Sequence, residues 1–178
     1  MFSDSGFDLD SQNIPKVGKF STPPHTGIPP SGLNPRGVGL WCIDLQTQKC
    51  WFPKGPFFAD QIKAIAITFD NKFLFSSYGV ILRQFSVQNH SLVKAYILRG
   101  YISSIAITPD NKHVFIGSHK GTLVQMCIET QEVIKDYGRL HCAPICSMVV
   151  TGGSEFLVTT DDHGRTNKIC VESGGIVV

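Results

Sequence analysis

Three segments of this 178-residue chain repeat nearly the same sequence at almost constant spacing. The phrases IKAIAITFDNKFLF, ISSIAITPDNKHVF and ICSMVVTGGSEFLV begin at Ile62, Ile102 and Ile145, which lie 40 and 43 residues apart. In each phrase an apolar strand-like run is followed by a turn-forming pair and a second apolar run, which is the pattern of a β-hairpin. The repeat therefore predicts a chain built from copies of one small antiparallel unit.

A second phrase closes each unit and keeps the same period. IDLQTQKC, FSVQNHSL, MCIETQEV and ICVESGGI begin at Ile43, Phe85, Met126 and Ile169, at spacings of 42, 41 and 43 residues. A period of roughly 40–45 residues made of short strands is typical of β-propeller blades, which have about four strands each. We therefore predict an all-β fold, a β-propeller with about three four-stranded blades and a partial blade before them.

Turn-forming residues separate the predicted strands at matching places in each unit. Residues 72–77, 113–118 and 155–160 fill the second-strand position, and each first hairpin carries Asp-Asn or Gly-Gly. The third strands follow Gly79, Gly121 and Gly164. A glycine at this place suits a tight turn that requires positive φ.

Residues 107–134, with the sequence ITPDNKHVFIGSHKGTLVQMCIETQEVI, resemble the repeat of the WD-repeat family of β-propellers without a gap. The phrase at Ile43 is similar to the Trp-Asp-Leu-x-Thr-Gly-Lys-Cys ending of that family. The resemblance covers residues 37–178. It implies a partial blade at residues 37–58 and blades at residues 59–98, 99–140 and 141–178.

The departures from the family pattern are systematic. The family's Trp position holds Ile43, Phe85, Met126 and Ile169. The resemblance implies a structural hydrogen-bond network of His, Ser or Thr, Asp and Trp, which only the last unit could form. There we assign it to His141, Thr160 (or Thr159), Asp161 and Asp162 as alternatives, without the Trp. Elsewhere we expect apolar packing to join the blades, since well-packed apolar residues often replace buried polar networks.

The number of units is small for a closed ring, because propellers usually have 4–8 blades. An arc of three and a half blades would leave apolar faces and strand edges open. We therefore expect a piece of a longer protein, or an arc that closes by self-association or by accepting blades from a partner.

The first 36 residues differ in composition from the rest. Six of the ten prolines fall there, mixed with Ser, Thr, Gly and Asn. Such a segment buries too little apolar surface to offset the entropy of ordering. It is predicted to be a flexible leader, with Thr22-Pro23 as a weak candidate for proline-directed phosphorylation.

Composition and local motifs exclude several classes of function. The net charge of +2 gives no electrostatic footprint for nucleic acid. The N-terminus lacks a secretory pattern, and no apolar run approaches the ~20 residues of a membrane span. We expect a soluble cytoplasmic protein without membrane or nucleic-acid partners. No phosphate-binding loop, HExxH or specific carboxylate pair is present, so no catalytic residue and no cofactor is predicted.

Six cysteines raise the question of a metal site. Cys142 and Cys146 have the spacing of a zinc-binding pair, with His141 and His163 as further candidates, but a second compact pair is missing. Cys42, Cys127 and Cys170 fall in strand patterns and are predicted to pack as small apolar residues. We therefore predict no metal site and no disulfides.

The leading function is a non-enzymatic scaffold that binds protein or peptide partners through the propeller loops. The alternative is a propeller domain appended to an enzyme or to a subunit of a transport or trafficking complex. The resemblance implies that the top-face loops carry the contacts, because binding residues concentrate on loops held by a rigid scaffold. The predicted partner-binding residues are Tyr78, Arg99, Tyr101, His119, Lys120 and Arg139, with His141 and His163 nearby.

Overall fold

The structure, a computed structural model, describes residues 61–177 together with the backbone of Cys42–Ile43 and Cys50–Trp51. The chain divides into two compact units, Met1–Gln61 and Ile62–Val178. In the N-terminal unit, β1 (Cys42–Ile43) pairs antiparallel with β2 (Cys50–Trp51). The predicted leader at residues 1–36, including Thr22-Pro23, lies outside the described residues, as does most of the predicted partial blade at residues 37–58.

The C-terminal unit consists of three four-stranded antiparallel sheets, each with its strands in chain order. Blade 1 contains β3 (Ile65–Ile67), β4 (Phe73–Tyr78), β5 (Ile81–Ser86) and β6 (Leu92–Ile97). Blade 2 contains β7 (Ile102–Ile107), β8 (His113–Ser118), β9 (Thr122–Cys127) and β10 (Val133–Arg139). Blade 3 contains β11 (Ile145–Val150), β12 (Phe156–Asp161), β13 (Thr166–Cys170) and β14 (Ile176–Val177). The prediction of four-stranded blades is confirmed.

The turns repeat from blade to blade in atomic detail. In blade 2 the Thr108 hydroxyl accepts the N–H of His113 at 2.9 Å, and in blade 3 the Thr151 hydroxyl accepts the N–H of Phe156 at 3.1 Å. The glycines before the third strands have φ of 59°, 73° and 76° at Gly79, Gly121 and Gly164. The expectation of positive φ at these glycines is therefore confirmed.

Apolar side chains fill the space between adjacent blades. Between blades 1 and 2 the buried cluster includes Phe75 and Leu82 on one side and Val114 and Met126 on the other. Between blades 2 and 3 a second cluster includes Phe115 and Leu123 facing Ile145, Leu157 and Ile169. The strands of blade 2 thus bury side chains on both of their faces, which is the arrangement of a propeller blade between two neighbours.

A polar set accompanies the apolar packing on the outer strands, and it occurs twice. In blade 2 the hydroxyl of Tyr137 donates to Oε1 of Gln125 at 2.9 Å, and Nζ of Lys135 lies 4.9 Å from the Tyr137 ring centroid. The same ammonium group donates to the carbonyls of Ser173 and Gly174 in blade 3, at 3.2 Å each. We call this Lys, Tyr and Gln arrangement the outer clamp.

Blade 1 carries the same clamp about one repeat earlier. The hydroxyl of Tyr96 donates to Oε1 of Gln84 at 3.0 Å, and Nζ of Lys94 lies 5.1 Å from the Tyr96 ring. Lys94 also donates to the carbonyl of Gln131 in blade 2, at 3.5 Å. Burial raises the pKa of Tyr96 to about 12. Apolar packing joins these blades as expected, and a repeated lysine adds a polar contact at each described junction.

No helix in residues 61–177 is long and apolar enough to cross a membrane.

Substitution of Gly174 should reveal the contribution of the Lys135 contact. A Cβ atom at Gly174 would lie 2.0 Å from Lys135 Nζ, whereas one at Gly138 would meet nothing within 4 Å, and both glycines have φ of 65°. We expect Gly138→Ala to cost about 1–2 kcal/mol through backbone strain alone and Gly174→Ala to cost more. Urea denaturation of the two variants measures the difference.

A second background separates strain from contact. In a Lys135→Ala chain the two glycine substitutions should lower the urea midpoint equally, because the ammonium group is gone. Equal costs in the native background would contradict the structural role of the clamp.

Candidate functional site

Four of the predicted partner-binding residues lie together where blade 1 meets blade 2. Arg99 and Tyr101 are exposed on the connection from β6 to β7, and His119 and Lys120 are exposed on the turn from β8 to β9. The N–H of His119 donates to the carbonyl of Tyr101 at 2.8 Å, and the Lys120 side chain passes beside Gly100. We call Arg99, Tyr101, His119 and Lys120 the junction rim.

The backbone on both sides holds the junction rim in place. The N–H of Leu98 donates to the carbonyl of Val80, and the N–H of Ile102 donates to that of Gly79, at 2.8 Å each. The Ser118 hydroxyl lies 2.6 Å from that of Thr122 and accepts the N–H of Lys120 at 3.2 Å. The rim residues therefore project from short, hydrogen-bonded connections.

A groove of about 430 Å³ extends from Arg99 along the face of blade 2 that packs toward blade 1. Ile102, Ile116 and Val124 line it with aliphatic side chains, and Asp136 is the acidic residue in its lining. This volume falls within the range of about 300–1,000 Å³ that is common for ligand pockets.

The structure does not bring Tyr78 and Arg139 to this rim. Tyr78 ends β4 and is only 3% exposed, with the Arg83 guanidinium 4.2 Å from its ring centroid. Its predicted place on an exposed turn is therefore corrected. Arg139 is exposed, but its guanidinium donates to the carbonyls of His141 and Cys142, at 3.1 and 2.9 Å, and so positions the loop before blade 3.

The structural network forms in blade 3 around a buried histidine. Nδ1 of His141 lies 3.2 Å from Oδ2 of Asp161, and Nε2 lies 2.8 Å from the Thr159 hydroxyl. The amide nitrogen of Asn167 is also 3.2 Å from Nε2 and donates to the Leu140 carbonyl at 3.2 Å. The amide nitrogen of Asn167 can only donate, so Nε2 is the acceptor and Nδ1 carries the proton that it donates to Asp161.

Strand alternation explains which of the alternative residues join the network. Thr159 and Asp161 are buried on one side of β12. Thr160, between them, faces the other side of the sheet, where its hydroxyl lies 3.3 Å from the Thr166 hydroxyl. Asp162 follows the strand and is exposed. Thr160 and Asp162 therefore do not contact His141, and Asn167 is a participant that the sequence pattern missed.

Blade 2 positions the loop that carries His141. The carbonyl of Gly121 accepts the N–H groups of Leu140 and His141, at 2.9 and 3.1 Å. A Cβ atom at Gly121 would lie 2.1 Å from the His141 carbonyl oxygen. A side chain does not fit at this position, so the turn of blade 2 and the loop of blade 3 meet backbone to backbone.

The Asp161 carboxyl is held in its charged form. Burial raises the pKa of Asp161. Hydrogen bonds from the Arg165 N–H, from His141 and from the His163 N–H lower it by more than that, so the pKa lies below the ordinary value of 3.8. A carboxyl with a depressed pKa stabilises the fold above its unfolded pKa and loses that contribution as the pH falls through the folded value.

The described cysteines are free thiols in two settings. Cys142 and Cys146 are exposed, whereas Cys127 and Cys170 are half-buried at the ends of third strands. Sγ of Cys127 accepts the N–H of Thr130 at 3.4 Å. Hydrogen bonds from the side chain and backbone of Thr130 lower the pKa of Cys127, and those from Ser173 lower the pKa of Cys170. The Cys127 thiol therefore accepts a hydrogen bond from its own turn, which corrects its assignment as a purely apolar packing residue.

The side chains of Cys42 and Cys50 lie outside the described residues. Within residues 61–177, no three His, Cys, Asp or Glu side chains are arranged to hold a metal ion.

Asp161→Asn should weaken the dependence of stability on pH. The variant should have a lower urea midpoint than the parent at pH 7, and its midpoint should fall less steeply below pH 4, because no carboxylate remains to be protonated there. Asp162→Asn is the matched control, since this neighbouring carboxyl is exposed, and its midpoint should follow the parent. Equal slopes for Asp161→Asn and the parent would contradict the role of the Asp161 carboxylate.

The turn hydroxyls should tune the two half-buried thiols separately. Because the thiolate is the nucleophile, we expect Thr130→Ala to slow alkylation of Cys127 by iodoacetamide near neutral pH and to leave Cys170 unchanged. Ser173→Ala should do the reverse. Mass spectrometry of each cysteine-containing peptide across pH 6–10 gives the midpoints, and an unshifted midpoint in both variants would refute the assignment.

Neither a family model nor a curated protein matches the sequence. Solved structures match over most of the chain. The RRP9 WD40 repeats align with a TM-score of 0.65 at 15% identity, covering 72% of this chain and 40% of that one. U3-55K aligns with a TM-score of 0.66 at 15% identity, covering 72% and 41%.

A third match is the hydrazine synthase of Kuenenia stuttgartiensis. It aligns with a TM-score of 0.70 at 19% identity, covering 80% of this chain and 43% of that one. The chain therefore spans about two fifths of the length of each of these three structures. Identities this low establish the fold alone. On the geometry and these likenesses together, the chain has the fold of a WD40-type β-propeller, with three consecutive four-stranded blades in its described part.

Proposed function

We propose that this chain is a non-enzymatic interaction module that binds protein or peptide partners through the junction rim. The observation that carries the proposal is the exposed set of Arg99, Tyr101, His119 and Lys120. The connection that enters blade 2 and a turn within blade 2 bring these residues together, joined by the hydrogen bond from the His119 N–H to the Tyr101 carbonyl. Tyr and Arg are enriched among the residues that dominate binding energies at protein interfaces. The propeller supplies a rigid support for them.

The charges of the rim support the same proposal. Among the described residues, no ion pair or side-chain hydrogen bond engages the Arg99 guanidinium or the Lys120 ammonium group. Tyr101 leaves 60% of its surface exposed. A large exposed aromatic ring beside unengaged cations matches the composition of protein interfaces, in which Tyr and Arg are over-represented.

A second candidate function is that of a propeller domain within an enzyme or within a transport or trafficking complex. It is favoured by the likeness to the hydrazine synthase of Kuenenia stuttgartiensis, whose name is that of an enzyme. In either case we propose a cytoplasmic location, where thiols such as Cys127 and Cys142 stay reduced.

Affinity capture with the tagged 178-residue chain tests the interaction proposal. We expect a partner at near-stoichiometric yield. We expect Tyr101→Ala combined with Lys120→Glu to weaken its binding at least about 30-fold, because a hot-spot residue contributes about 2 kcal/mol or more and about 1.4 kcal/mol is tenfold in affinity. Lys168→Glu, an exposed substitution on blade 3, is the control and should leave recovery unchanged.

Two outcomes would refute the proposal. One is recovery of the parent chain alone under gentle conditions with chemical cross-linking. The other is equal recovery of the partner with the rim variant and with the parent.

A further inference from the structure

The groove beside the junction rim has an aliphatic floor that two blades build together. Ile102 and Ile116 form its buried base, and Val124 is half-buried beside them. Leu98 contributes from the connection that leaves blade 1, and Val133 contributes from the outer strand of blade 2. An apolar side chain of a ligand would therefore find aliphatic contacts from several directions.

Irregular pairing of the outer strand shapes this groove. The register of β10 against β9 shifts between Val133 and Lys135 and again between Asp136 and Gly138. Gly138 has φ of 65°, and its N–H donates to Oδ1 of Asp136 at 2.9 Å. β-Bulges bend a strand and re-aim its side chains. Val133 is left 53% exposed at the groove, although it is an aliphatic residue in a strand.

The charge around the groove is unbalanced toward positive. Arg99 lines it, and Lys120 and His119 stand on the adjoining turn. The acidic residue in its lining is Asp136, and one oxygen of that carboxylate already accepts the Gly138 N–H. Within the described part of the chain, neither Arg99 nor Lys120 forms an ion pair. A ligand that places carboxylates at this end would meet two permanent cations.

We propose that the groove binds a peptide segment in which an aliphatic side chain is flanked by Asp or Glu residues. The aliphatic side chain contacts Leu98, Val124 and Val133 above the buried Ile102 and Ile116. The flanking carboxylates lie at Arg99 and Lys120. This inference rests on the proposed function and names the class of partner. A nucleic acid fits less well, because the floor is aliphatic and offers no stack of aromatic rings for the bases.

Fluorescence anisotropy with synthetic peptides tests the groove directly. The probe is a labelled peptide with a central Leu-Ile pair between two Glu pairs. The matched peptides replace Leu-Ile by Ser-Ser or every Glu by Lys, and a labelled single-stranded oligonucleotide represents nucleic acid. We expect saturable binding of the probe to the 178-residue chain, at least tenfold tighter than either matched peptide and weakened by added salt.

Neighbouring residues supply matched variants of the protein. Val133→Asp places a charge in the groove and should weaken binding of the probe at least tenfold. Ile134→Asp makes the same kind of change at the next residue, which is 52% exposed and does not line the groove, and should leave binding unchanged. Arg99→Glu should weaken binding and reduce its salt dependence, whereas Lys168→Glu on blade 3 should do neither.

The possible results separate this inference from the proposed function. Absence of probe binding, equal binding of the Lys-flanked peptide, tighter binding of the oligonucleotide, or equal effects of Val133→Asp and Ile134→Asp would each overturn the groove assignment. If the parent chain still captures a stoichiometric partner that the rim variant loses, the interaction function stands without the groove. Circular dichroism and urea midpoints close to the parent show that each variant is folded.

Discussion

Burial of both faces of blade 2 is the constraint on which the rest of the described structure depends. A single four-stranded antiparallel sheet with apolar residues on both faces cannot bury them by itself. In blade 2, Val114 and Met126 pack toward blade 1, and Phe115 and Leu123 pack toward blade 3. Burying a side chain of this size contributes about 1.5–3 kcal/mol. The blades are therefore stable only as an ordered stack, which is the energetic logic of repeat proteins.

The outer clamp adds directional contacts to the apolar packing between blades. Apolar contacts are non-directional and tolerate sliding, whereas Lys135 must meet the carbonyls of Ser173 and Gly174 while lying over the ring of Tyr137. Lys94 makes a similar but longer contact at the junction of blades 1 and 2, where it lies near the Tyr96 ring and reaches one carbonyl at 3.5 Å. The two buried apolar clusters provide most of the stabilisation, and each lysine adds a polar contact between the outer strand of one blade and the last turn of the next.

Local patterns in the sequence predicted the blades well, because hairpins and turns depend on short-range chemistry. The Asp-Asn turns and the positive φ of Gly79 and Gly121 depend on residues within one unit. The four strands of each blade were predicted from the spacing at which the units repeat. The repeated Lys-x-Tyr of the outer strands was also present in the sequence, but its meaning depends on carbonyls in the following unit. Features that join two repeats were therefore the ones missed.

Which of two adjacent residues faces a site could not be predicted from the sequence either. Thr159 and Thr160 have identical chemistry, and only the facing of β12 decides which one meets His141. Tyr78 similarly occupies a strand end that lies under Arg83 and not an open turn. For the candidate site, all four residues of the junction rim were predicted from the sequence. The groove beside them includes residues of β10 at irregular pairings, which no residue pattern predicted.

The contact of Gly121 with the loop of His141 bears on how such a protein can be altered by recombination. The donor groups of Leu140 and His141 are satisfied by a carbonyl of the preceding blade, and the space for that loop exists only because residue 121 has no side chain. The histidine network therefore is not a portable property of one repeat. A transplanted blade would need to carry the hairpin before it, so the natural unit of exchange in this fold straddles two blades.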